Sequence, residues 1–278
     1  MLPTTFAAML GFPNCKINIG LQITDRRPDG YHNLLSCFYP VGWSDVLEII
    51  PDESLTVPVQ FTATGIPIPG QSNLCIEAYE ALRADFDLPR VRIHLHKLVP
   101  IGAGLGGGSA DAALTLKQLN GMFGLGLSLA QLESYARPLG ADCAFFVQNR
   151  PMYCIQKGDV FEEINLDLSG YQIVLVYPNV AISTAEAYAG IRPQQPEVPL
   201  RELLEAPIEQ WRDTVSNDFE GSLFPRYPLL AEIKAQLYKL GAVYAAMTGS
   251  GSTVFGLFSG EPNSNRSFTR YTVWQGKL

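Results

Sequence analysis

Residues 100–110 read Pro-Ile-Gly-Ala-Gly-Leu-Gly-Gly-Gly-Ser-Ala, and no other stretch constrains the 278-residue chain as tightly. Six positions from 102 to 109 carry nothing beyond a hydrogen or a methyl group, Ala103 included. Such a segment lets the backbone approach a ligand closely and aim several N–H groups at one point. Before it, Val91–Lys97 alternates strictly, apolar at 91, 93 and 95. That period predicts a strand with one buried face, as in an antiparallel sheet. After it, a helix is predicted from Ser109 to about Asn120, with Ala112, Leu116, Leu119 and Phe123 along one face. A helix N-terminus placed there adds partial positive charge, so the loop suits a phosphate. The alternative is a flexible linker, but linkers are not framed by a strand and a capped helix.

Three familiar phosphate loops do not fit. A P-loop needs Gly-Lys-Ser/Thr, which the chain lacks. Gly102-Ala-Gly104-Leu-Gly-Gly107 matches G-x-G-x-x-G, but the preceding strand alternates, unlike a buried parallel strand. No ribose-binding acid closes a second strand about 20 residues on. The V-A-I-K, H-R-D and D-F-G marks of a protein kinase are also missing. A second glycine turn, Met247-Thr-Gly-Ser-Gly-Ser-Thr253, lies between two apolar segments. It reads either as a tight hairpin or as a turn that closes over the first loop.

Composition excludes several classes of function. Hydrophobic residues make up 47% and charged residues 17%, a globular balance. Twenty Lys+Arg against 27 Asp+Glu give a net charge of −7, which disfavours non-specific nucleic-acid binding. A local basic pocket for a small phosphorylated ligand remains compatible with that charge. No apolar run approaches the length of a membrane span, so no membrane partner is expected. The apolar start, MLPTTFAAMLGF, has no Lys or Arg before Lys16, so no signal peptide is expected. Five widely spaced cysteines without C-x-x-C argue for a reducing cytoplasm rather than a disulfide framework. His94 and His96 form H-x-H on one strand, but no third ligand is evident and no metal site is predicted.

The coarse pattern is α+β. Strands are predicted at Lys16–Thr24, Val46–Ile50, Thr56–Phe61 and Gln172–Tyr177. Helices are predicted at Asn73–Ala84, from Ser128 to near Gly140, and over Pro228–Leu240. Ile191–Pro207 is proline-rich and reads as a connection, and Ala242–Phe258 as two strands around a glycine turn. Two lobes are expected, residues 1–160 with the glycine-rich loop and residues 161–278.

Asn14-Cys-Lys-Ile-Asn18, Pro100–Ala113 and Thr248-Gly-Ser-Gly-Ser252 occur in this order. Together they resemble the galactokinase, homoserine kinase, mevalonate kinase and phosphomevalonate kinase superfamily. Asp29-Gly-Tyr-His32, Gly140-Ala-Asp142 and Ser216-Asn-Asp218 are most similar to its branch that acts on 4-diphosphocytidyl-2-C-methyl-D-erythritol. The resemblance spans nearly the whole chain. It implies a ribosomal protein S5 domain 2-like N-terminal lobe, a ferredoxin-like C-terminal lobe and an active site in the cleft between them. The implied activity is transfer of the ATP γ-phosphoryl group, with Mg²⁺, to the 2-hydroxyl of that cytidylyl alcohol in non-mevalonate isoprenoid synthesis. Other implied readings are a homoserine- or mevalonate-type kinase and a non-catalytic nucleotide sensor. A monomer or weak homodimer is expected.

The resemblance also assigns roles. Lys16 would neutralise the transferred phosphoryl group, and Asp142 would accept the proton of the acceptor hydroxyl. Read from the residues alone, Lys16 is an ordinary solvent-facing strand lysine and Asp142 an N-cap beside the apolar Ala144–Val147, and it is the resemblance that favours the functional roles. Pro100, Ile101, Gly102, Ala103, Gly104, Leu105, Gly106, Gly107, Gly108, Ser109 and Ala110 would contact ATP, joined by Asn73, Gly249 and Ser250. Asn73 and Ser109 have helix capping as the alternative. Ser109 could also meet Mg²⁺. Tyr31 and Tyr188 would sandwich the cytosine and His32 would hydrogen-bond its edge, with Asn18 and Thr184 as lesser contacts. Three departures from the family pattern stand out. Asn14-Cys15 replaces a common Pro-Ala, Ala144 a common Pro, and the chain after Phe258 is short.

Overall fold

The structure is a computed structural model, and it describes residues 7–70, 73–262 and 267–278. The first six residues of the apolar N-terminal stretch therefore lie outside the described residues. The chain begins with β1 (Met9–Gly11), β2 (Asn14–Arg26), β3 (His32–Ser44), β4 (Val46–Pro51) and β5 (Val59–Gly65). Next come α1 (Leu74–Arg83), β6 (Val91–Lys97), α2 (Gly107–Met122), α3 (Leu129–Ala136) and α4 (Cys143–Gln148). β7 (Met152–Ile155), β8 (Val160–Glu163), β9 (Gln172–Tyr177), α5 (Thr184–Ala189) and α6 (Leu200–Leu203) follow. The chain ends with α7 (Trp211–Thr214), α8 (Asp218–Leu223), α9 (Pro228–Lys239), β10 (Tyr244–Met247), β11 (Val254–Phe258) and β12 (Thr272–Lys277).

The chain divides into two compact units. The first holds the described residues up to Cys15 together with those of Ser44–Ile101 and Gly106–Arg150. Its sheet has the order β1-β4-β6-β5. β6 pairs antiparallel with β4 but parallel with β5, from Val59↔Val91 to Gly65↔Lys97. The antiparallel expectation for Val91–Lys97 is thus corrected on one side, because pairing direction depends on a distant partner that alternation does not encode. Leu47, Ile49, Val91, Ile93 and Leu95 form the buried face. Tyr79, Leu82, Leu116, Leu119 and Phe145 fill the core of the helices. Each such side chain contributes roughly 1.5–3 kcal/mol by burial.

Asn73 caps α1 by accepting from Cys75 N at 2.8 Å. Ser128 and Gln131 make the reciprocal capping box of α3. That helix ends at Ala136, short of the expected stop near Gly140. α2 begins at Gly107, two residues earlier than expected, so Gly107 and Gly108 are helical despite their poor propensity.

The second unit holds Lys16–Trp43, Gly102–Leu105 and the described residues from Pro151 onward. It contains strands in the orders β2-β3-β7-β8 and β10-β11-β9-β12. β9 is flanked antiparallel by β11 and β12. Within the short stretch after Phe258, β12 therefore closes the sheet as an edge strand, with Trp274 stacked on Trp43 at 6.3 Å. The proline-rich Ile191–Pro207 connection contains the one-turn helix α6. The strand expected at Thr56–Phe61 runs instead over Val59–Gly65, since Pro58 supplies no N–H to a ladder.

Candidate functional site

In the second unit, Lys16 and Asn18 lie on one face of β2, two residues apart. The reading of Lys16 as an exposed strand lysine is corrected: it is buried, as is Asn18. Lys16 Nζ donates to Asn18 Oδ1 at 2.6 Å and lies 4.4 Å from the centre of the Phe38 ring. Asn18 Nδ2 donates to Ser36 Oγ at 2.9 Å, which fixes which end of the carboxamide faces the lysine. Backbone bonds hold this face in place. Lys16 N donates to Leu105 O at 3.0 Å, and Asn18 N to Thr248 Oγ1 at 2.9 Å.

The two glycine segments meet here. Thr248 Oγ1 donates to Gly104 O at 3.2 Å, and Thr253 N to Ala103 O at 3.3 Å. A Cβ on Gly104 would lie 2.2 Å from Thr248 O, at a positive φ of 80°, so only glycine fits. A Cβ on Gly249 would meet Asn18 Oδ1 and Gly104 O, each at 3.3 Å, and Ser250 is half-buried in the same turn. The turn at 248–253 is therefore both a hairpin, joining β10 to β11, and a cover over residues 103–105. Asn217 braces it, donating to Met247 O and Gly249 O, each at 2.8 Å.

The aromatic residues form a second cluster in this unit. His32 stacks on Tyr188 with centroids 4.8 Å apart and planes 18° apart. Tyr188 meets Phe219 edge-on at 4.9 Å. Desolvation and the nearby Arg26 hold the His32 imidazole below its ordinary value, against the opposing pull of Asp25, so it is neutral at pH 7. A neutral ring keeps one nitrogen as acceptor and one as donor. Thr184 opens α5 and shares a helix face with Tyr188 at i, i+4. Tyr31 stands outside this stack, exposed, with the Lys157 ammonium 5.3 Å from its ring. Its turn is braced by Asp29, which accepts from Tyr31 N at 3.1 Å and from Arg27.

In the first unit, Pro100 and Ile101 lead away from β6, and Gly106 occupies the N-cap of α2 without a side chain to cap it. The first N–H groups of Gly107, Gly108, Ser109 and Ala110 belong to a 16-residue helix, long enough for its dipole to matter at that end. Ser109 is inside the helix and not its cap. Its hydroxyl hydrogen-bonds the Cys143 thiol, working against the burial that pushes this thiol up to about 11. A Cβ on Gly140 would lie 3.7 Å from Ser109 Oγ. The loop carrying Asp142 thus packs beside the start of α2. Asp142 occupies the N-cap position of α4, but its side chain makes no capping bond, so the capping alternative is corrected. Asn73 caps α1 and also lines an open depression of about 440 Å³ with Phe61, Thr64, Ile66 and Ile76.

Ser36 carries no clear mark in the sequence, because its importance comes from a long-range contact. Thr248 opens the third motif, but its bond to Asn18 N is likewise long-range. Lys97 does carry a signal, because it continues the buried phase of Val91, Ile93 and Leu95. Among the described residues, no group of three or more His, Cys, Asp or Glu side chains could hold a metal ion. His94 and His96 instead bond Thr62 and Thr64 across the sheet. No helix of the described residues is long and apolar enough to cross a membrane.

Comparison with known proteins gives consistent results. Residues 73–150 match the GHMP kinases N terminal domain, and residues 200–266 match GHMP kinases C terminal. A 4-diphosphocytidyl-2-C-methyl-D-erythritol kinase of Cytophaga hutchinsonii is 49% identical over 92% of this chain and 94% of its own. A protein of the same name from Bacteroides fragilis is 50% identical over 91% of this chain and 93% of its own. A crystal structure of a 4-(cytidine 5'-diphospho)-2C-methyl-D-erythritol kinase superposes with a TM-score of 0.81 at 32% identity. That superposition covers 96% of this chain and 98% of the crystallised one.

Proposed function

Because the chain belongs to the 4-diphosphocytidyl-2-C-methyl-D-erythritol kinases of the GHMP family, we propose that it phosphorylates the 2-hydroxyl of that cytidylyl alcohol. ATP is the donor, and the products are the 2-phosphate and ADP. The observation that carries this reading is the identity of about one half, over nine-tenths of the chain, to two proteins bearing that name. The buried Lys16–Asn18 pair beside residues 103–105 supports it.

Phosphoryl transfer is mainly positioning and charge stabilisation. The backbone of Gly102–Ala110, with Pro100, Ile101, Gly249 and Ser250, grips the nucleotide, and Asn73 contacts its adenine side. Lys16 is a point charge held by Asn18, and it stabilises negative charge on the moving phosphoryl group. Asp142 accepts the proton of the 2-hydroxyl as the new P–O bond forms and the bond to ADP breaks. Neutral His32 and the rings of Tyr188 and Tyr31 hold the cytosine. Thr184 and Asn18 contact the rest of the acceptor.

Mg²⁺ bound with the ATP would supply charge neutralisation at the phosphates. The described residues offer no carboxylate cage, and Ser109 is the side chain that would reach the ion. The functional division is proposed at residues 1–160 and 161–278, although Lys16–Trp43 and Gly102–Leu105 fold with the second compact unit; the site acts in a monomer or weak homodimer, and the compartment is the cytoplasm. All five cysteines are buried, with their sulfurs as thiols, as a reducing compartment favours.

The test is ADP release over a panel of alcohols with and without the cytidylyl group. This reading expects turnover with the cytidylyl alcohol and little with homoserine or mevalonate. Turnover with either of those would reassign the acceptor, and turnover with none would make the chain a nucleotide sensor.

A further inference from the structure

We propose that Lys97 is a positioning residue for ATP binding, locked between Asp45 and Asp111 so that the strand leaving β6 and the first turn of α2 keep the shape that receives the phosphates. The proposal rests on the reading of Gly106–Ala110 as nucleotide contacts. All the residues that carry it lie in the first unit.

Lys97 ends β6 in phase with its buried side chains, and only 2% of it is exposed. An ammonium in that position costs several kcal/mol unless it is paired. Two carboxylates pair it. Nζ donates to Asp45 Oδ2 and, at 2.7 Å, to Asp111 Oδ2. Burial alone would lower the lysine's affinity for its proton, but the two carboxylates outweigh it and hold the ammonium charged.

Asp45 does more than balance charge. Its other oxygen accepts from Leu98 N at 2.6 Å and Val99 N at 2.8 Å, the first two amides beyond the strand. Its own N–H donates to Pro13 O at 3.0 Å. The backbone that launches the glycine loop is therefore pinned to one carboxylate. Asp111 is the fifth residue of α2, and its Oδ1 is buried without a hydrogen-bond partner. The contact at the helix start is equally close. A Cβ on Gly107 would lie 3.0 Å from Lys97 Nζ and 3.0 Å from Val99 Cγ1. The first turn of α2 thus rests on the ammonium. Buried ion clusters of this kind are often no more stabilising than apolar packing, so what this one supplies is orientation.

The test uses the full chain with Lys97→Met and, separately, Asp111→Asn, which preserves side-chain shape. ATP affinity is titrated by calorimetry, and KM is measured for ATP and for the cytidylyl alcohol. Hydrogen exchange is followed at the Leu98 and Val99 amides. The expected result is an ATP Kd and KM about tenfold higher or more, and faster exchange at both amides. The acceptor KM should stay within about twofold. Two results would overturn the proposal: ATP affinity unchanged in a folded variant, or both substrates weakened together in step with lost thermal stability. If Lys97→Met does not fold, Asp111→Asn decides on the same criteria. A wild type that fails to bind ATP would instead overturn the reading of the loop itself, and this proposal with it.

Discussion

Lys16 Nζ and Asn18 Oδ1 are 2.6 Å apart on one buried face of β2. A lysine stem is flexible and samples many rotamers when free. The carboxamide, itself oriented by Ser36, removes that freedom before any ligand arrives. Asn18→Leu keeps the strand and the burial but removes the acceptor. It is expected to lower kcat/KM by about 10- to 100-fold, with most of the loss in kcat. Steady-state kinetics with ATP and the cytidylyl alcohol would check this.

Asp142→Asn separates catalysis from structure. The carboxylate does not cap α4, so no helix-capping energy is lost with the change. Turnover should fall by about 100-fold or more, with ATP affinity within about twofold of wild type. A stability loss large enough to explain the lost rate would assign Asp142 to the fold instead.

Gly102 and Gly104 have similar positive φ angles, 67° and 80°, but different surroundings. An added Cβ at 102 meets nothing within 4 Å, whereas at 104 it meets Thr248 O at 2.2 Å. Gly102→Ala should therefore cost only about 1–2 kcal/mol, the penalty of the backbone conformation. Gly104→Ala must also move the 248–253 turn and should cost about 3 kcal/mol or more. Denaturant titration of the two variants side by side measures the difference.

His32→Ala and Tyr188→Leu remove one ring each from the 4.8 Å stack. Each is expected to raise the acceptor KM by about tenfold, the scale of one base–aromatic stacking contact, and to leave the ATP KM near wild type. Equal effects on both substrates would argue against a cytosine subsite there.

Stability should depend on pH through Asp111. Burial, opposed by Lys97 and reinforced by Asp45, pushes its carboxyl from 3.8 up to about 7. Across that window the folded chain keeps a proton that the unfolded chain has lost. Stability therefore falls as pH rises from about 4 to about 7. The fall should be shallower in Asp111→Asn, as read by urea unfolding at a series of pH values. A profile of equal slope in the two proteins would contradict the assignment.

Local signals in the sequence were readable where short-range physics decides. The boundaries of Val91–Lys97, the Asn73 cap and the Ser128–Gln131 box all follow from neighbouring residues. The start of α2 at Gly107 does not, because two helical glycines oppose propensity and are held by tertiary packing. The parallel pairing of β5 is equally hidden, since it depends on a partner about 30 residues away. In the candidate site, the residue types of Lys16, Asn18 and the glycine segments were legible. The burial of Lys16 was not, because β2 is covered on both faces and alternation then loses its meaning. Asn217 shows the same limit. Its role comes from two carbonyls about 30 residues further along, Met247 and Gly249.

Phosphorus NMR of the purified chain with Mg²⁺-ATP and 4-diphosphocytidyl-2-C-methyl-D-erythritol tests the assigned reaction most directly. For each ATP consumed, one ADP and one new phosphomonoester, coupled to the position-2 carbon of the acceptor, should appear. ATP left intact, or cleaved to free phosphate with no ester formed, would contradict the assignment.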